Sequence, residues 1–338
     1  MDSINILIAN RLDEVFQRQI AGVDRQVKVQ DARELVSAEL GRASGTDISA
    51  TEREKLDSLL REAEVIVMWR PPLDLLSRSP RLKWVQLTSA GIDRALAGSG
   101  LLESDVIIAN ASGIHAIPIG EYVLGTMLMF AKRAPLSFVN KQRKRWEQFI
   151  PSELRDKTLG VVGLGSIGQE VARLARAFGM RVVATKRSVM RQEVLVMGVD
   201  KVYPPRDLLD MLSESDFVVL SVPFTKETAT MIGEPELRAM KPTSYLINIS
   251  RGGVIHEGML IRALKEGWIA GAGLDVFATE PLPLENELWD IPNVIITPHI
   301  AGGSEMYNSR LTELFCDNLR RYLTGQTLLN VVDKSKGY

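Results

Sequence analysis

The strongest local signal for the fold of this chain is the stretch Thr158-Leu159-Gly160-Val161-Val162-Gly163-Leu164-Gly165-Ser166-Ile167-Gly168. Its first five residues form an apolar run typical of a buried strand, and apolar residues at helical spacing follow it, at 171, 174, 175 and 178. A GxGxxG turn between a strand and a helix is typical of a phosphate cradle. Gly163 permits the tight turn, Gly165 allows a pyrophosphate to approach, and Gly168 lets helix and strand pack closely. The helix start, including Ser166 and Ile167, offers N–H groups to phosphates.

Apolar runs and helical patterns alternate on both sides of this stretch, and such alternation predicts parallel sheets. From residue 158 onward the runs predict six strands, at 158–162, 181–184, 217–221, 245–248, 273–276 and 294–297. The residues before it predict strands at 4–9, 65–68, 84–87 and 106–109 and a helix at 51–62, which opens on a capping box formed by Thr51 and Glu54. An apolar helix at 118–133 joins the two series, and a last helix, 304–324, returns to the first.

We therefore predict an α/β chain of two Rossmann-like, doubly wound parallel-sheet domains with an active-site cleft between them. Residues 1–108 and 304–338 would form a discontinuous substrate-binding domain, and residues 109–303 the dinucleotide-binding domain. The length of 338 residues agrees with about two domains.

Composition narrows the class of protein further. The net charge of −1 gives no basic field for nucleic acid or a membrane surface, and we expect neither as a partner. The one cysteine, Cys316, excludes an internal disulfide and a cysteine-based zinc site, so we predict no metal and a reducing, cytoplasmic location. The amino terminus has no signal-peptide pattern, and the apolar run at 122–131 is too short to span a bilayer.

The strand after the glycine turn ends in Thr185-Lys186-Arg187-Ser188. A dinucleotide fold usually has an acidic residue near this point, which binds the adenine ribose 2′-hydroxyl. Here two cations stand instead, and they would attract a 2′-phosphate. We therefore predict NADPH in preference to NADH, with NAD still possible; the alternative interpretation is a solvated basic loop.

Three successive strand ends carry groups suited to hydride transfer. Arg251 follows one strand, Asp275 and Glu280 follow the next, and His299 follows the last. A guanidinium can bind a carboxylate in bidentate fashion, an imidazole can move one proton near neutral pH, and a neighbouring carboxylate fixes its tautomer. Beside a dinucleotide fold, this set indicates reduction of a 2-oxo acid.

The other two histidines have plainer interpretations. His115 lies in a polar loop and is predicted to be structural or part of a hinge, and His256 lies at a helix start, where it would cap the helix.

The chain resembles the D-isomer-specific 2-hydroxyacid dehydrogenase family along essentially its whole length. The residues that carry the resemblance are 163–168, Ser221-Val222-Pro223 with Thr225 and Thr228, 248–253, 271–283 and Pro298-His299. The resemblance implies that Arg251 binds the substrate carboxylate and carbonyl, that His299 is the acid–base paired with Glu280, and that Asp275 lies near the nicotinamide carboxamide. It further implies a homodimer.

The resemblance also implies further binding residues. The loop from Thr88 to Asp93 would receive the substrate carboxylate on the backbone of Ala90 and Gly91, and Arg70 would face the cleft. The remaining residues implied at the cofactor are Thr185, Lys186, Arg187, Val222, Pro223, Thr228, Ile249 and His299.

The departure at Lys186 and Arg187 resembles the NADPH-linked glyoxylate and hydroxypyruvate reductases of that family. Two alternatives stay open: a non-enzymatic dinucleotide sensor or corepressor on the same fold, and an NAD-dependent 3-phosphoglycerate-type dehydrogenase. An adenosyl-cofactor methyltransferase would use a glycine-rich loop too, but it leaves the Arg, Glu and His strand ends unexplained. Trp146 would either reach a neighbouring subunit or pack on its own helix.

Overall fold

The chain divides into two compact units, residues 1–114 with 304–338, and residues 115–303. The computed structural model describes residues 3–10, 12–40, 48–92, 96, 98–196 and 198–335. The first unit reaches beyond the expected boundary at 108 because the N–H of Asn110 bonds to Asn330 and that of Ala111 bonds to Ser89, both in the same unit.

A five-stranded parallel sheet forms the centre of the first unit, in the order β2-β1-β3-β4-β5. Its strands are β1 (Ile4–Ile8), β2 (Val27–Asp31), β3 (Val65–Met68), β4 (Trp84–Leu87) and β5 (Ile107–Ala109). The helices before residue 114 are α1 (Glu14–Ala21), α2 (Arg33–Glu39), α3 (Ala50–Glu62) and α4 (Leu75–Arg78). Alternate residues enter opposite cores: Leu7 packs on one face, and Ile6 and Ile8 on the other. The edge strand β2 was not predicted, because its polar residues interrupt the apolar run.

The capping box of α3 differs from the expected one. The helix begins at Ala50, with Ser49 rather than Thr51 as the N-cap. The Glu52 N–H donates to Ser49 Oγ at 3.3 Å, and the Ser49 N–H donates to Glu52 Oε2 at 3.0 Å. Both Ser49-to-Glu52 and Thr51-to-Glu54 have the spacing of a capping box, and the sequence analysis chose the wrong one.

An eight-stranded sheet forms the centre of the second unit, in the order β13-β12-β11-β10-β6-β7-β9-β8. Its strands are β6 (Thr158–Val162), β7 (Arg181–Thr185), β8 (Glu193–Val196), β9 (Val199–Tyr203), β10 (Phe217–Leu220), β11 (Tyr245–Asn248), β12 (Gly271–Leu274) and β13 (Val294–Ile296). Its helices are α5 (Ala116–Ala131), α6 (Ala134–Gln142), α7 (Ser166–Ala177), α8 (Leu208–Glu214), α9 (Glu234–Ala239) and α10 (Glu257–Glu266). All neighbours are parallel except β8, which pairs antiparallel with β9, and this pair was not predicted.

Strand β12 begins two positions before the predicted run at 273–276, because its glycines belong to the strand. A β-carbon on Gly273 would lie 2.6 Å from Thr126 Cγ2 of α5. Only glycine lets α5 pack this closely on the sheet.

The last helix, α11 (Tyr307–Leu323), belongs to the first unit. Its Phe315 ring stacks on Trp84 of β4 with centroids 5.0 Å apart. Cys316, on the same helix, is buried. Among the described residues, none of the helices is long and apolar enough to cross a membrane.

Candidate active site

The predicted residues of the second unit follow strands that are neighbours in its sheet. Since β13, β12, β11, β10, β6 and β7 are parallel, their carboxyl ends share one edge. From one side to the other, that edge carries His299, then Asp275 and Glu280, then Arg251, then residues 222–228, then the glycine turn, then residues 185–187. Strand order alone therefore places the acid–base candidates on the same sheet edge as the glycine turn.

His299 and Glu280 form a hydrogen-bonded pair. His299 Nδ1 lies 2.9 Å from Glu280 Oε2, and the other carboxylate oxygen of Glu280 accepts the Phe277 N–H at 3.1 Å. The imidazole is half exposed, whereas the Glu280 side chain is largely buried. A carboxylate on Nδ1 makes that nitrogen the donor and leaves proton transfer to Nε2. The pair has the geometry of an oriented general acid–base.

The Arg251 loop is braced by Asn248, a residue whose role the sequence analysis did not identify. Asn248 Oδ1 accepts the Ser250 N–H at 3.0 Å, and its Nδ2 donates to the Arg251 carbonyl at 3.0 Å. Asn248 is 1% exposed, so the brace is shielded from water. An Asn followed two residues later by Ser is a recognisable signal for such a side-chain turn.

Asp275 lies under the His299 loop. Its carboxylate accepts hydrogen bonds from Thr297 Oγ1, the Ile300 N–H and the Ala301 N–H. The structure thus gives Asp275 a part in shaping the loop that the sequence analysis did not assign. Its predicted contact with the nicotinamide carboxamide stays a prediction.

The glycine turn fits a pyrophosphate. Gly163 has φ of 98°, and Ser221 Oγ donates to its carbonyl at 2.6 Å. A β-carbon on Gly168 would lie 2.2 Å from the Gly163 carbonyl oxygen, so this glycine is needed for packing. A β-carbon on Gly165 would meet no heavy atom within 4 Å, so the space above it is open at the start of α7. Ser166 and Ile167 follow there, at the positive end of the helix dipole.

The end of β7 presents Lys186 and the exposed Arg187 beside this turn, while the Thr185 side chain is buried. The Thr185 carbonyl accepts the Gly163 N–H at 3.2 Å, so Thr185 supports the turn through its backbone. A hydrogen bond from Thr225, with smaller contributions from Arg187 and other charges, lowers the pKa of Glu227. Arg187 therefore lies near the loop after β10.

The other predicted cofactor residues divide into exposed and structural ones. Pro223 is exposed, whereas Ile249 is 7% exposed and belongs to the hydrophobic core. Thr228 Oγ1 donates to the Pro223 carbonyl at 2.6 Å and accepts the Thr225 N–H at 2.8 Å, which holds the loop in shape. Val222 packs against the core of the second unit.

In the first unit, the ends of β3 and β4 carry the predicted substrate residues. Arg70 is exposed just after β3. The loop after β4 is held by the Asn110 side chain, which donates to the Ala90 carbonyl at 3.0 Å, and by Ser89 Oγ, which donates to the Gly91 carbonyl at 2.8 Å. Asp93 lies outside the described residues.

The remaining histidines are structural. His256 is the N-cap of α10 and accepts the Met259 N–H at 3.4 Å, which confirms its predicted role. His115 precedes α5, and its Nδ1 lies 3.1 Å from the Gly302 carbonyl oxygen.

Comparison with known proteins decides the family. Residues 124–301 match the family profile described as "D-isomer specific 2-hydroxyacid dehydrogenase, NAD binding domain". The chain belongs to this family. Its members use a nicotinamide dinucleotide, so the protein is an oxidoreductase, and the glycine turn lies in its dinucleotide-binding part.

Several individual proteins are similar to this member of the family. Glyoxylate reductase of Thermococcus litoralis is 35% identical over 300 residues, which cover 85% of this chain and 89% of that protein. D-3-phosphoglycerate dehydrogenase of Methanocaldococcus jannaschii is 33% identical, over 83% of this chain and 54% of that protein. The structure of the NADPH-dependent glyoxylate/hydroxypyruvate reductase of Sinorhizobium meliloti, solved with NADP and sulfate, superimposes on this chain with a TM-score of 0.81 and 28% sequence identity. The match covers 99% of this chain and 100% of the reductase.

Proposed function

We propose that the protein reduces a small 2-oxo acid of the glyoxylate or hydroxypyruvate type to the D-2-hydroxy acid, with NADPH as the preferred reductant. The observation that carries this proposal is the His299–Glu280 pair, with Nδ1 and Oε2 2.9 Å apart, on the sheet edge that also bears Arg251 and the glycine turn. A sensor needs the glycine turn but not an oriented acid–base.

In the proposed reaction, bound NADPH supplies a hydride to the carbonyl carbon. His299 donates the proton that the carbonyl oxygen needs, from Nε2, while Glu280 holds Nδ1. Arg251, on the loop that Asn248 braces, binds the substrate carboxylate and polarises the carbonyl, as a guanidinium can do. Ala90, Gly91 and Arg70 are the proposed further contacts of the carboxylate.

The preference for NADPH rests on Lys186 and Arg187 at the end of β7, where a dinucleotide fold specific for NAD has a carboxylate. Two relatives support the substrate class by name, because one is a glyoxylate reductase and the other a glyoxylate/hydroxypyruvate reductase solved with NADP.

Initial rates of cofactor oxidation test the proposal directly. Glyoxylate, hydroxypyruvate, pyruvate and phenylpyruvate would each be supplied with NADPH and with NADH. We expect the highest kcat/KM with NADPH and one of the first two acids. Turnover with NADH alone would overturn the cofactor assignment, and cofactor binding without turnover of any acid would favour the sensor. An assay of 3-phosphoglycerate with NAD tests the remaining alternative.

We propose that the protein acts as a homodimer. Among the described residues, α6 and the segment after it expose three large apolar side chains, Phe138, Trp146 and Ile150, at 60%, 93% and 90%. Exposed apolar side chains grouped in one segment are typical of an interaction surface. Sedimentation equilibrium should give a dimer that Trp146→Ala with Ile150→Ala converts to monomer, and a monomeric native protein would contradict this.

We also propose a cytoplasmic location for the protein, because its cysteine content predicts a reducing compartment.

A further inference from the structure

A buried carboxylate holds the loop on both sides of His299, through a side chain before it and through backbone N–H groups after it. Thr297 Oγ1 donates to Asp275 Oδ1 at 2.6 Å, the Ile300 N–H donates to the same oxygen at 2.9 Å, and the Ala301 N–H donates to Oδ2 at 2.9 Å. Asp275 is 2% exposed, so water competes little for these bonds. The loop is therefore fixed one residue after His299 and two residues before it.

A tyrosine from α5 completes this arrangement. Tyr122 Oη lies 2.8 Å from Thr297 Oγ1. A threonine hydroxyl has one proton, and that proton is directed to Asp275, so Tyr122 must be the donor to Thr297. Burial raises the pKa of Tyr122, which keeps the phenol protonated. The hydrogen bonds thus run in one direction, from phenol to hydroxyl to carboxylate.

The conformation of His299 explains why the loop needs support. His299 has φ of 55°, in the left-handed region that a side chain with a β-carbon disfavours. A residue in this region persists only where its surroundings fix it. The bonds to residues 297, 300 and 301 supply that constraint.

Two carboxylates of one strand end therefore control His299 in different ways. Glu280 binds the ring at Nδ1, and Asp275 binds the backbone around it. Loss of either constraint would let the imidazole leave the orientation needed for proton transfer, which tolerates only small displacements.

We propose that Tyr122 and Thr297 are positioning residues that set the orientation of His299 through Asp275. The inference rests on the proposed acid–base role of His299. Through Tyr122, α5 would take part in the reaction, although none of the sequence motifs that support the proposed function lies in this helix.

Three variants test the proposal. Thr297→Val keeps the shape but removes the hydroxyl, Thr297→Ser keeps the hydroxyl, and Tyr122→Phe removes only the phenol oxygen. We expect kcat to fall about 30-fold in Thr297→Val and about 5-fold in Tyr122→Phe, since a small misplacement of a catalytic group is costly. Thr297→Ser should retain at least a third of the native kcat. The dissociation constant of NADPH, measured by fluorescence, should change less than twofold in all three.

Tyr245→Phe is the matched control. Tyr245 also packs against α5, with its ring 4.4 Å from that of Phe130, but it lies at the start of β11, away from the strand ends. It should keep kcat within twofold. An equal loss in Tyr245→Phe and Tyr122→Phe would reduce the effect to packing and overturn the proposal.

A double-mutant cycle separates positioning from fold stability. If Thr297 acts through His299, adding Thr297→Val to His299→Ala should not lower the single-turnover rate further. A further 30-fold loss in that background would overturn the inference, and so would native kcat with a native pH profile in folded Thr297→Val and Tyr122→Phe. His299→Ala alone with near-native turnover would instead refute the proposed acid–base, which is a distinguishable outcome. If Thr297→Val does not fold, Tyr122→Phe carries the same cycle.

Discussion

The turns that follow the first strand of each unit differ in glycine content. After β6 the chain has Gly163, Gly165 and Gly168, whereas after β1 residues 9–13 read Ala-Asn-Arg-Leu-Asp, with no glycine. Both units are built on a parallel sheet flanked by helices. The turn of the second unit combines a left-handed residue with open space above the backbone, at Gly163 and Gly165. The shared architecture therefore does not decide function; the strand-end residues do.

The two sheets also differ in what their strand ends present. The strands of the second sheet are followed by ionisable side chains, and hydrogen bonds hold each of them in place. Glu280 accepts the Phe277 N–H, and Asn248 donates to the Arg251 carbonyl. Asp275 accepts the N–H that follows His299. The loop after β4 in the first unit is braced mainly through carbonyls, at Ala90 and Gly91. This difference supports the proposal that the second unit performs the chemistry and the first offers backbone groups to an anion.

The largest effect is expected from His299→Ala. General acid–base groups contribute roughly 100- to 10,000-fold to a rate, so kcat should fall by about three orders of magnitude. NADPH binding should persist, since the ring pairs with Glu280 and not with the glycine turn. Steady-state and single-turnover rates measure the loss.

His256→Ala is the control for this variant, because His256 caps α10 and lies outside the strand-end set. It should keep kcat within twofold and lose a little thermal stability. Equal turnover in the two variants would remove His299 from the mechanism.

The second prediction tests the glycine turn. Gly165→Ala should fold normally, because its β-carbon would meet no protein atom within 4 Å. That β-carbon would occupy the space through which a pyrophosphate approaches, so the dissociation constant of NADPH should rise on the order of 100-fold. Isothermal titration with NADPH measures it.

Gly125→Ala provides the comparison, since its β-carbon also meets nothing within 4 Å but lies on α5. It should bind NADPH as the native protein does. Native affinity in Gly165→Ala would mean that the cofactor does not approach this turn.

The third prediction concerns the end of β7. Replacing Lys186 and Arg187 together with Ala should weaken NADPH binding about 10- to 30-fold, because charge-assisted hydrogen bonds to a phosphate are lost. NADH binding should change less than threefold. The ratio of kcat/KM for the two cofactors is the measurement, and an equal loss for both would point to a general effect on the loop. Arg262→Ala, which removes an exposed cation of α10, is the control for lost charge.

The strongest local signals in the sequence were sufficient for the glycine turn and the charged strand ends. Each lies within a few residues of an apolar run, so periodicity located it. Contacts between distant segments left no such signal: Tyr122 and Thr297 are 175 residues apart. The β8–β9 pair was also missed, because β8 is only four residues long and the polar residues Asp200 and Lys201 interrupt β9.

The N-cap of α3 was predicted at the wrong residue, because two capping-box patterns overlap within one helical turn. Replacing this N-cap is expected to have the smallest effect. Ser49→Ala should lower the unfolding midpoint of the first unit by about 2 to 4 °C, whereas Thr51→Ala should leave it unchanged.

Hydrogen bonds from Ser49 lower the pKa of Glu52. A carboxyl with a lowered pKa stabilises the folded state above its ordinary value, 4.5, and loses that contribution as the pH falls below it. The difference between Ser49→Ala and the native protein should therefore shrink on acidification, and calorimetry at pH 7 and pH 3.5 would reveal it. If Thr51→Ala lowered the unfolding midpoint more than Ser49→Ala, Thr51 would be the N-cap, and the Ser49 hydrogen bonds would contribute little to the stability of the folded protein.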